Sequence, residues 1–210
     1  MNTFLEKQIA ELKAQDLHRS LRDIESAQGP TIRLNGRVVH NFSSNDYLGL
    51  ASHPSLKEAA SDALAAFGTG SGASRLISGN LPPCRELEEE LARFKGSESA
   101  LVFGSGYAAA AGTLPALLSP KDVVILDKLC HACLIDAAKL SGAHLRVYPH
   151  LHVEKLKDLL EWAACKHPDS NILIVTETVF SMDGDVAPLD AIVELKNKFG
   201  AWLMIDEAHA

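Results

Sequence analysis

Apolar runs without polar interruptions alternate with amphipathic segments over most of this sequence. Examples are DVVIL at 122–126, NILIV at 171–175 and AWLMI at 201–205. A strand with one exposed face alternates apolar and polar residues, whereas a strand buried on both faces is apolar throughout. Buried strands separated by helices are typical of a mostly parallel sheet with helices on both faces. The sequence therefore predicts an α/β fold with a doubly wound, mostly parallel sheet.

The spacing of apolar residues also places the single elements of this sheet. Helices are expected where apolar residues recur every three to four positions, and strands where short apolar runs are bounded by turn residues. The predicted helices cover residues near 54–67, 82–95, 107–118, 131–141, 153–165 and 188–199. The predicted strands cover residues near 99–103, 122–127, 144–148, 171–176 and 201–206.

A helix and a β-hairpin are predicted ahead of this sheet. The helix is indicated by an apolar stripe, and Gly29-Pro30 should end it; the stripe consists of Leu5, Ile9, Leu12, Leu17, Leu21 and Ile24. Asn35-Gly36 separates two β-prone runs and predicts a hairpin over 31–43, because both turn positions favour positive φ. We expect residues 1–43 to form this helix and hairpin, and residues 44–210 to form one large, incomplete domain.

The charge balance argues against two classes of partner. The chain has 20 Lys and Arg against 27 Asp and Glu, a formal net charge of −7. Nucleic acids and anionic membranes are bound by clustered basic residues, so we expect neither partner. We also find no signal-peptide pattern, and no apolar run near the roughly 20 residues that span a bilayer. A cytoplasmic protein is expected.

Cys130 and Cys133 form a C-x-x-C pair around His131. A zinc site would need two further ligands, and a redox motif of this kind usually opens the first helix of a small βαβ unit. We therefore expect reduced cysteines and no metal site. A metal site that also uses nearby histidines is the alternative.

Polar residues follow the predicted strands, at the edge where open α/β sheets bind ligands. Gly104-Ser105-Gly106-Tyr107 leads into an alanine-rich helix, whose N-terminal N–H groups could hold a phosphate. His131 begins the next helix, where an imidazole can stack on an aromatic ring or transfer a proton. Taken singly, an ordinary glycine turn and a capping or packing histidine are the more frequent explanations of these residues.

Two later strands are also followed by polar residues. Asp183 and Gly184 form a turn that would present the Ser181 hydroxyl, and Asp206 ends an apolar strand with His209 three residues on. A carboxylate in that position can hold a protonated ring nitrogen. The same letters, DEAH, also occur in a helicase motif, but this sequence has no Gly-Lys dipeptide for the phosphate loop that helicases need. The four positions together indicate a pyridoxal-5′-phosphate (PLP) site.

Seven segments resemble, in order and spacing, the α-oxoamine synthases, a family of fold-type I PLP-dependent transferases. They span nearly all of residues 20–210: NFSSNDYLGLASHP, FGTGSGASRLISGN, ELEEELARFKG, FGSGYAA, DKLCHACLIDAA, VFSMDGDVAPL and LMIDEAH. SSNDYLGL is most similar to the branch of the family that acts in biotin biosynthesis, and less similar to the glycine C-acetyltransferases. The resemblance implies a homodimer that condenses L-alanine with pimeloyl-CoA, or with a pimeloyl carrier protein, and releases CO₂. Another α-oxoamine synthase activity, or an inactive binding module that reuses the fold, are the alternatives.

The resemblance also implies roles for single residues. Gly106 and Tyr107 would bind the phosphate, His131 would stack on the ring and border the substrate, and Asp206 would pair with the ring nitrogen. Further contacts are implied for Ser181 and His209 at the ring oxygen, and for Arg22 and Asn45 at the substrate. The GTGSGAS loop is expected near the dimer interface. Ala110 stands where relatives often have Asn, so one polar contact is expected to be missing.

The family's Schiff-base lysine lies on a later strand than the one that ends at Asp206. None of the lysines in this sequence matches its motif, so the resemblance implies that this lysine lies beyond Ala210. We therefore expect a chain truncated before the lysine and inactive by itself.

Overall fold

A computed structural model describes residues 2–210. These residues form two compact units, which meet in the chain between Leu81 and Pro82. The domain boundary predicted after residue 43 stays a prediction. No helix within residues 2–210 is long and apolar enough to cross a membrane.

The first unit contains a helix, a hairpin and a second helix. Helix α1 covers Asn2–Ala14, strands β1 and β2 cover Thr31–Leu34 and Arg37–His40, and helix α2 covers Pro54–Phe67. The hairpin is confirmed: its strands pair antiparallel, and the turn residues Asn35 and Gly36 have φ of 50° and 71°. The N-terminal helix is confirmed but shorter than predicted.

Helix α1 ends at Ala14 because Asp16 adopts a φ of 57° and residues 17–24 are not helical. The apolar stripe that predicted a longer helix is exposed; Leu21, for example, is fully accessible. Helical turns in water depend mainly on burial of an apolar face. Residues 17–24 lack that contribution, so the prediction of a helix up to residue 28 was wrong there.

The second unit is the predicted α/β sheet. Its helices are α3 (Pro82–Lys95), α4 (Gly106–Leu117), α5 (Ala132–Ser141), α6 (Val153–Lys166) and α7 (Leu189–Phe199). Its strands are β3 (Val123–Asp127), β4 (His144–Tyr148), β5 (Ile172–Glu177) and β6 (Trp202–Asp206), in the order β4-β3-β5-β6 and all parallel. Every residue of β3 and β5 is buried. The α/β fold class is thus confirmed. Burial on both faces is confirmed for β3 and β5 but was wrong for β6, where Trp202 is exposed and the other residues are partly buried, because β6 is an edge strand of this sheet.

The strand order makes the sheet doubly wound. The chain moves from β3 to β4 in one direction and then crosses back over β3 to reach β5 and β6. Because such crossovers are right-handed, this reversal puts α5 on one face and α6 and α7 on the other. The carboxyl ends of β3 and β5 lie at the switch point, where ligands bind in sheets of this kind.

The strand predicted at 99–103 was wrong. These residues form no strand, and Leu101 is exposed. A strand needs a neighbour for its backbone N–H and C=O groups, and no strand within residues 2–210 pairs with this segment. The N–H of Val102 donates to the Glu88 carboxylate instead, at 2.8 Å.

Candidate active site

A cavity of about 280 Å³ lies at the carboxyl ends of β5 and β6. Its volume is near the lower end of the roughly 300–1,000 Å³ of small-molecule sites. The cavity is lined by Gly106, Tyr107, His131, Cys133, Glu177, Asp206, Ala208 and His209. Five of the six residues predicted to bind the cofactor are therefore brought together, and Ser181 is the exception.

The N-terminus of α4 forms one wall of the cavity. The Ser105 hydroxyl caps the helix by accepting the N–H of Ala108 at 3.1 Å. The preceding N–H groups, on Gly106 and Tyr107, have no partner within the helix and carry the positive end of its dipole. Both residues are exposed, so an anion can reach these donors. Ala110, where relatives often have Asn, is buried in α4 and does not line the cavity.

His131 caps the N-terminus of α5. Its Nδ1 accepts the N–H of Cys133 at 3.2 Å, and the Cys133 Sγ lies 3.0 Å from the same atom. A nitrogen that accepts an N–H carries no proton, so the neutral ring has its proton on Nε2. The backbone N–H of His131 donates to the Glu177 carboxylate. The backbone of His131 is thus held by β5, and its imidazole contacts the first turn of α5.

Glu177 and Asp206 are adjacent carboxylates at the ends of β5 and β6, where they occupy paired positions in the parallel register. Burial raises the pKa of Glu177, and the negative charge of Asp206 adds to that increase, which outweighs the hydrogen bond from the His131 N–H. Asp206 is partly exposed, and its Oδ1 accepts the N–H of Ala208 at 2.9 Å. The two side chains give this end of the cavity the negative potential that suits a protonated ring nitrogen.

Glu177 and Cys133 were missed by the sequence analysis. Glu177 ends the apolar run of β5 in the same way that Asp206 ends β6, so the rule that found Asp206 applies to it too. Cys133 lines the cavity two positions after His131, which places it in the first turn of α5.

Ser181 lies outside the cavity lining. It is exposed at the tip of the loop between β5 and α7, where Gly184 has a φ of 75° and donates its N–H to the carbonyl of Phe180 at 2.9 Å. The turn predicted at Asp183 and Gly184 is therefore present. A contact between Ser181 and the cofactor stays a prediction.

Arg22 and Asn45 both belong to the first unit. Arg22 lines a separate cavity of about 450 Å³ beside the hairpin, together with Ile32, Val39 and His40 among others. Asn45 is exposed in the loop that follows β2. Their roles in substrate binding stay predictions.

Ala210 lies in the short segment that follows β6. It is exposed, its N–H donates to the carbonyl of Glu207 at 3.2 Å, and it does not line the cavity, although the preceding His209 does. No residue that lines the cavity within residues 2–210 is a lysine. The placement of the Schiff-base lysine beyond Ala210 stays a prediction.

All four cysteines are free thiols. Burial raises the pKa of both Cys130 and Cys133, and nearby carboxylates raise both further. Within residues 2–210, no group of three or more His, Cys, Asp or Glu residues could hold a metal ion.

The sequence matches the family model described as aminotransferase class I and II over residues 37–210. It is 52% identical over 202 residues to the 8-amino-7-oxononanoate synthase of Geobacter sulfurreducens, a match that covers 96% of this chain and 51% of that protein. It is 50% identical over 209 residues to the 8-amino-7-oxononanoate synthase of Citrifermentans bemidjiense, covering 100% of this chain and 52% of that protein. The chain thus spans about half the length of the curated relatives it matches.

Solved structures with the same fold include serine palmitoyltransferases. One, from S. paucimobilis with a bound PLP–myriocin aldimine, is 29% identical with a TM-score of 0.88, and the match covers 97% of this chain and 51% of that one. The 8-amino-7-oxononanoate synthase of Francisella tularensis is 32% identical with a TM-score of 0.64, covering 79% of this chain and 44% of that one. The fold-type I assignment and the resemblance to α-oxoamine synthases are confirmed.

Proposed function

Because this chain belongs to the aminotransferase class I and II family, we propose that it supplies the cofactor-binding part of a PLP-dependent synthase. The reaction is the condensation of L-alanine with a pimeloyl thioester, from CoA or a carrier protein, to 8-amino-7-oxononanoate with loss of CO₂. The observation that carries the proposal is identity near 50% along the whole chain to proteins named for this activity. The product is a precursor in biotin biosynthesis.

The lining of the cavity fits PLP. The N–H groups of Gly106 and Tyr107 at the start of α4 suit its phosphate, which is stabilised at a helix N-terminus. The Asp206 carboxylate, which lines the same cavity, suits a protonated pyridine nitrogen, and the His131 imidazole is a ring of the kind that would stack on the pyridine. When bound, PLP supplies an electron-withdrawing ring that favours loss of a proton and of CO₂ from the amino acid's α-carbon.

The protein's own residues hold charges in place for this chemistry. Asp206 keeps the ring nitrogen protonated by charge pairing, and Glu177 fixes the backbone of His131 through its hydrogen bond. His131 has its Nδ1 occupied by Cys133, so Nε2–H is the group it can offer to the substrate. Ser181 and His209 add contacts at the ring oxygen, and Arg22 and Asn45 border the acyl substrate.

The cavity contains no lysine among its lining residues in the described part of the chain. The resemblance to α-oxoamine synthases implies that a lysine forms the covalent link to the cofactor, and the residues that line the cavity here contribute the non-covalent contacts. The protein works in a homodimer in the cytoplasm, with the GTGSGAS loop near the dimer interface.

The test compares Asp206→Asn with Glu207→Gln in the full-length protein. Asp206→Asn should lower turnover by about 10²-fold or more, because a neutral amide does not hold the ring proton. Glu207 is the next residue, and its carboxylate forms an exposed ion pair with Lys95, so Glu207→Gln should leave turnover nearly unchanged. Equal turnover of the Asp206 variant and the parent would overturn the assignment.

A second test addresses the covalent link. The 210-residue chain is mixed with PLP, reduced with borohydride and mapped by peptide mass spectrometry. Scattered, partial labelling of exposed lysines is expected. Full labelling of one lysine would show that the site is completed from within these residues.

A further inference from the structure

His150, which has no part in the proposed function, lies between two carboxylates in the connection from β4 to α6. Its Nδ1 is 2.9 Å from Asp127 Oδ1, and its Nε2 is 3.1 Å from Asp185 Oδ2. The side chain is 20% exposed, and the ring stands edge-on to Phe180 with centroids 4.5 Å apart. Ionised carboxylates only accept hydrogen bonds, so both ring nitrogens donate. The ring in this arrangement is an imidazolium.

Asp127 anchors the inner side of the ring. Its side chain is completely buried at the end of β3, where it accepts the N–H groups of Leu129 and Leu151, each at 2.8 Å. Leu151 has a φ of 56°, a conformation that leucine rarely adopts and that this hydrogen bond supports. The buried Asp127 carboxylate therefore links two loops. One runs from β3 to α5 and leads to His131, and the other runs from β4 to α6 and carries His150.

Asp185 anchors the outer side of the ring. It belongs to the loop 178–187, which closes on itself through backbone hydrogen bonds from Phe180 to Asp185 at 2.9 Å and from Ala187 to Thr178 at 3.0 Å. Ser181 stands at the exposed tip of this loop. The His150 ring thus bridges the buried end of β3 and the loop that presents Ser181.

We propose that the His150 imidazolium is a positioning residue, which fastens the Ser181 loop to the carboxyl end of β3 through Asp127 and Asp185. The relevance for catalysis rests on the proposed function, because Ser181 is assigned to the cofactor there. The bridge itself depends on neither cofactor nor substrate. A neutral ring donates through one nitrogen only, so loss of its proton breaks one of the two contacts and releases the loop.

The direction of the pH dependence follows from the groups that face the ring. These are Asp127 from β3 and Asp185 from the loop, with the uncharged Phe180 against the ring edge. Burial acts to lower the pKa of His150, but the hydrogen bonds and charges of the two carboxylates outweigh it and raise the pKa. The bridge is therefore complete below the ordinary histidine pKa of about 6.5 and is lost as pH rises through the raised value.

The experiment replaces Asp185 by Asn in the 210-residue chain without cofactor, with Asp183→Asn as the control. Asp183 is exposed in the same loop, so its replacement removes the same charge outside the bridge. Near pH 6, hydrogen exchange of the loop amides of Phe180, Gly184 and Ala187 should be about tenfold less protected in the Asp185 variant, as expected for loss of a charged hydrogen bond. The amides of β3 should keep their protection in both variants.

Two further readouts separate positioning from simple packing. Nitrogen NMR of the parent chain near pH 6 should show both His150 ring nitrogens protonated. Loop protection, corrected for intrinsic exchange, should fall as pH rises through the His150 pKa in the parent and stay flat in Asp185→Asn. A singly protonated ring at pH 6, or equal protection in the two variants, would overturn the proposal. Loss of PLP binding with an intact bridge would count against the proposed function alone.

Discussion

The two units differ in how much of their apolar surface they bury. In residues 82–210, strands β3 and β5 are buried along their whole length, and Leu114, Leu156 and Ile174 are inaccessible. Among the side chains described in residues 3–81, Ile32 is the one large apolar side chain that is buried. Leu21, Phe42 and Leu76 are 101%, 96% and 96% exposed.

This difference shows when an apolar pattern predicts structure. Every helix predicted between 82 and 199 is present. Helices α4 to α7 pack apolar residues into the core of the second unit, whereas the buried residue of α3 is Ala92 and its Leu87 and Phe94 are exposed. The stripe from Leu5 to Ile24 has the same spacing, but its side chains are exposed, and the helix stops at Ala14. Periodicity indicates which face of an element can be buried, but it does not decide where the element ends: α2 covers the predicted residues with none of them buried, whereas residues 17–24 are not helical.

The largest effect expected from this comparison is on stability. Ile174→Ala in β5 removes a completely buried side chain and should lower the free energy of unfolding by about 2–5 kcal/mol. Leu21→Ala should change it by less than about 0.5 kcal/mol, because Leu21 is already accessible to water. Urea unfolding followed by circular dichroism measures both. Similar losses for the two variants would contradict the comparison.

A smaller loss of stability is expected from replacing Asp122, whose side chain links the starts of β3 and β5. Its carboxylate accepts the hydroxyl and N–H of Ser119 at 2.6 and 2.7 Å and the N–H of Asn171 at 2.9 Å. Asp122→Asn should cost about 1–3 kcal/mol, because the amide leaves part of this buried set unsatisfied. In the first unit, Asp46→Asn should cost less, since the N–H groups that its Oδ1 accepts, from Leu50 and Ala51, lie in an exposed local turn.

Asp122 also makes the stability of the second unit depend on pH, in a direction that follows from its pKa. Burial acts to raise the pKa of Asp122, but the hydrogen bonds from Ser119 and Asn171 outweigh it and lower the pKa. A lowered pKa contributes stability that is complete above the ordinary value of about 3.9 and is lost as pH falls through the lowered value. Unfolding measured between pH 5 and 2, by the same urea titration, should show this loss in the parent, and Asp122→Asn should lack it.

The sequence located most of the candidate site for a physical reason. Parallel strands bring their carboxyl ends to one edge, so the polar residues after each apolar run meet there, as Gly106, His131 and Asp206 do. The positions of Ser181, Arg22 and Asn45 depend on loops and on the first unit, where no strand register fixes a side chain. Glu177 carries the same sequence signal as Asp206, a carboxylate at the end of an apolar run, so the sequence analysis could have found it by the same rule.

The strand predicted at 99–103 failed for a related reason. An apolar run shows that a segment is suited to a sheet, but pairing also needs a neighbour, and none is present within residues 2–210. Whether a segment has a neighbouring strand depends on the tertiary arrangement, and the spacing of apolar residues does not encode that arrangement.

Replacing a glycine that has a positive φ should cost a similar amount of stability in the two units. Gly36 in the hairpin turn and Gly200 at the end of α7 have φ of 71° and 63°, and an added Cβ would meet nothing within 4 Å at either position. Each Gly→Ala change should therefore cost about 1–2 kcal/mol from the left-handed conformation alone. Hydrogen exchange of the β2 and β6 amides measures the local loss. A hairpin that tolerates Gly36→Ala without loss would show that the first unit lacks a defined turn.

The smallest effect is expected on PLP affinity, from replacing Cys130 and Cys133, the two cysteines beside His131. Cys130 donates through Sγ to the carbonyl of Val175 at 3.6 Å, and Cys133 contacts the His131 ring, so a serine hydroxyl can replace each thiol. Cys130→Ser combined with Cys133→Ser should change PLP affinity by less than about 0.5 kcal/mol, the range of substitutions that remove no key contact. His131→Ala should weaken PLP binding by about 0.5–1.5 kcal/mol, because it removes the ring that we propose to stack on the pyridine. Fluorescence titration with PLP measures both variants, and metal analysis of the purified chain accompanies it. A stoichiometric metal that disappears in the cysteine variant would favour a metal centre, whereas weaker PLP binding by His131→Ala than by the cysteine variant would support the stacking role of His131.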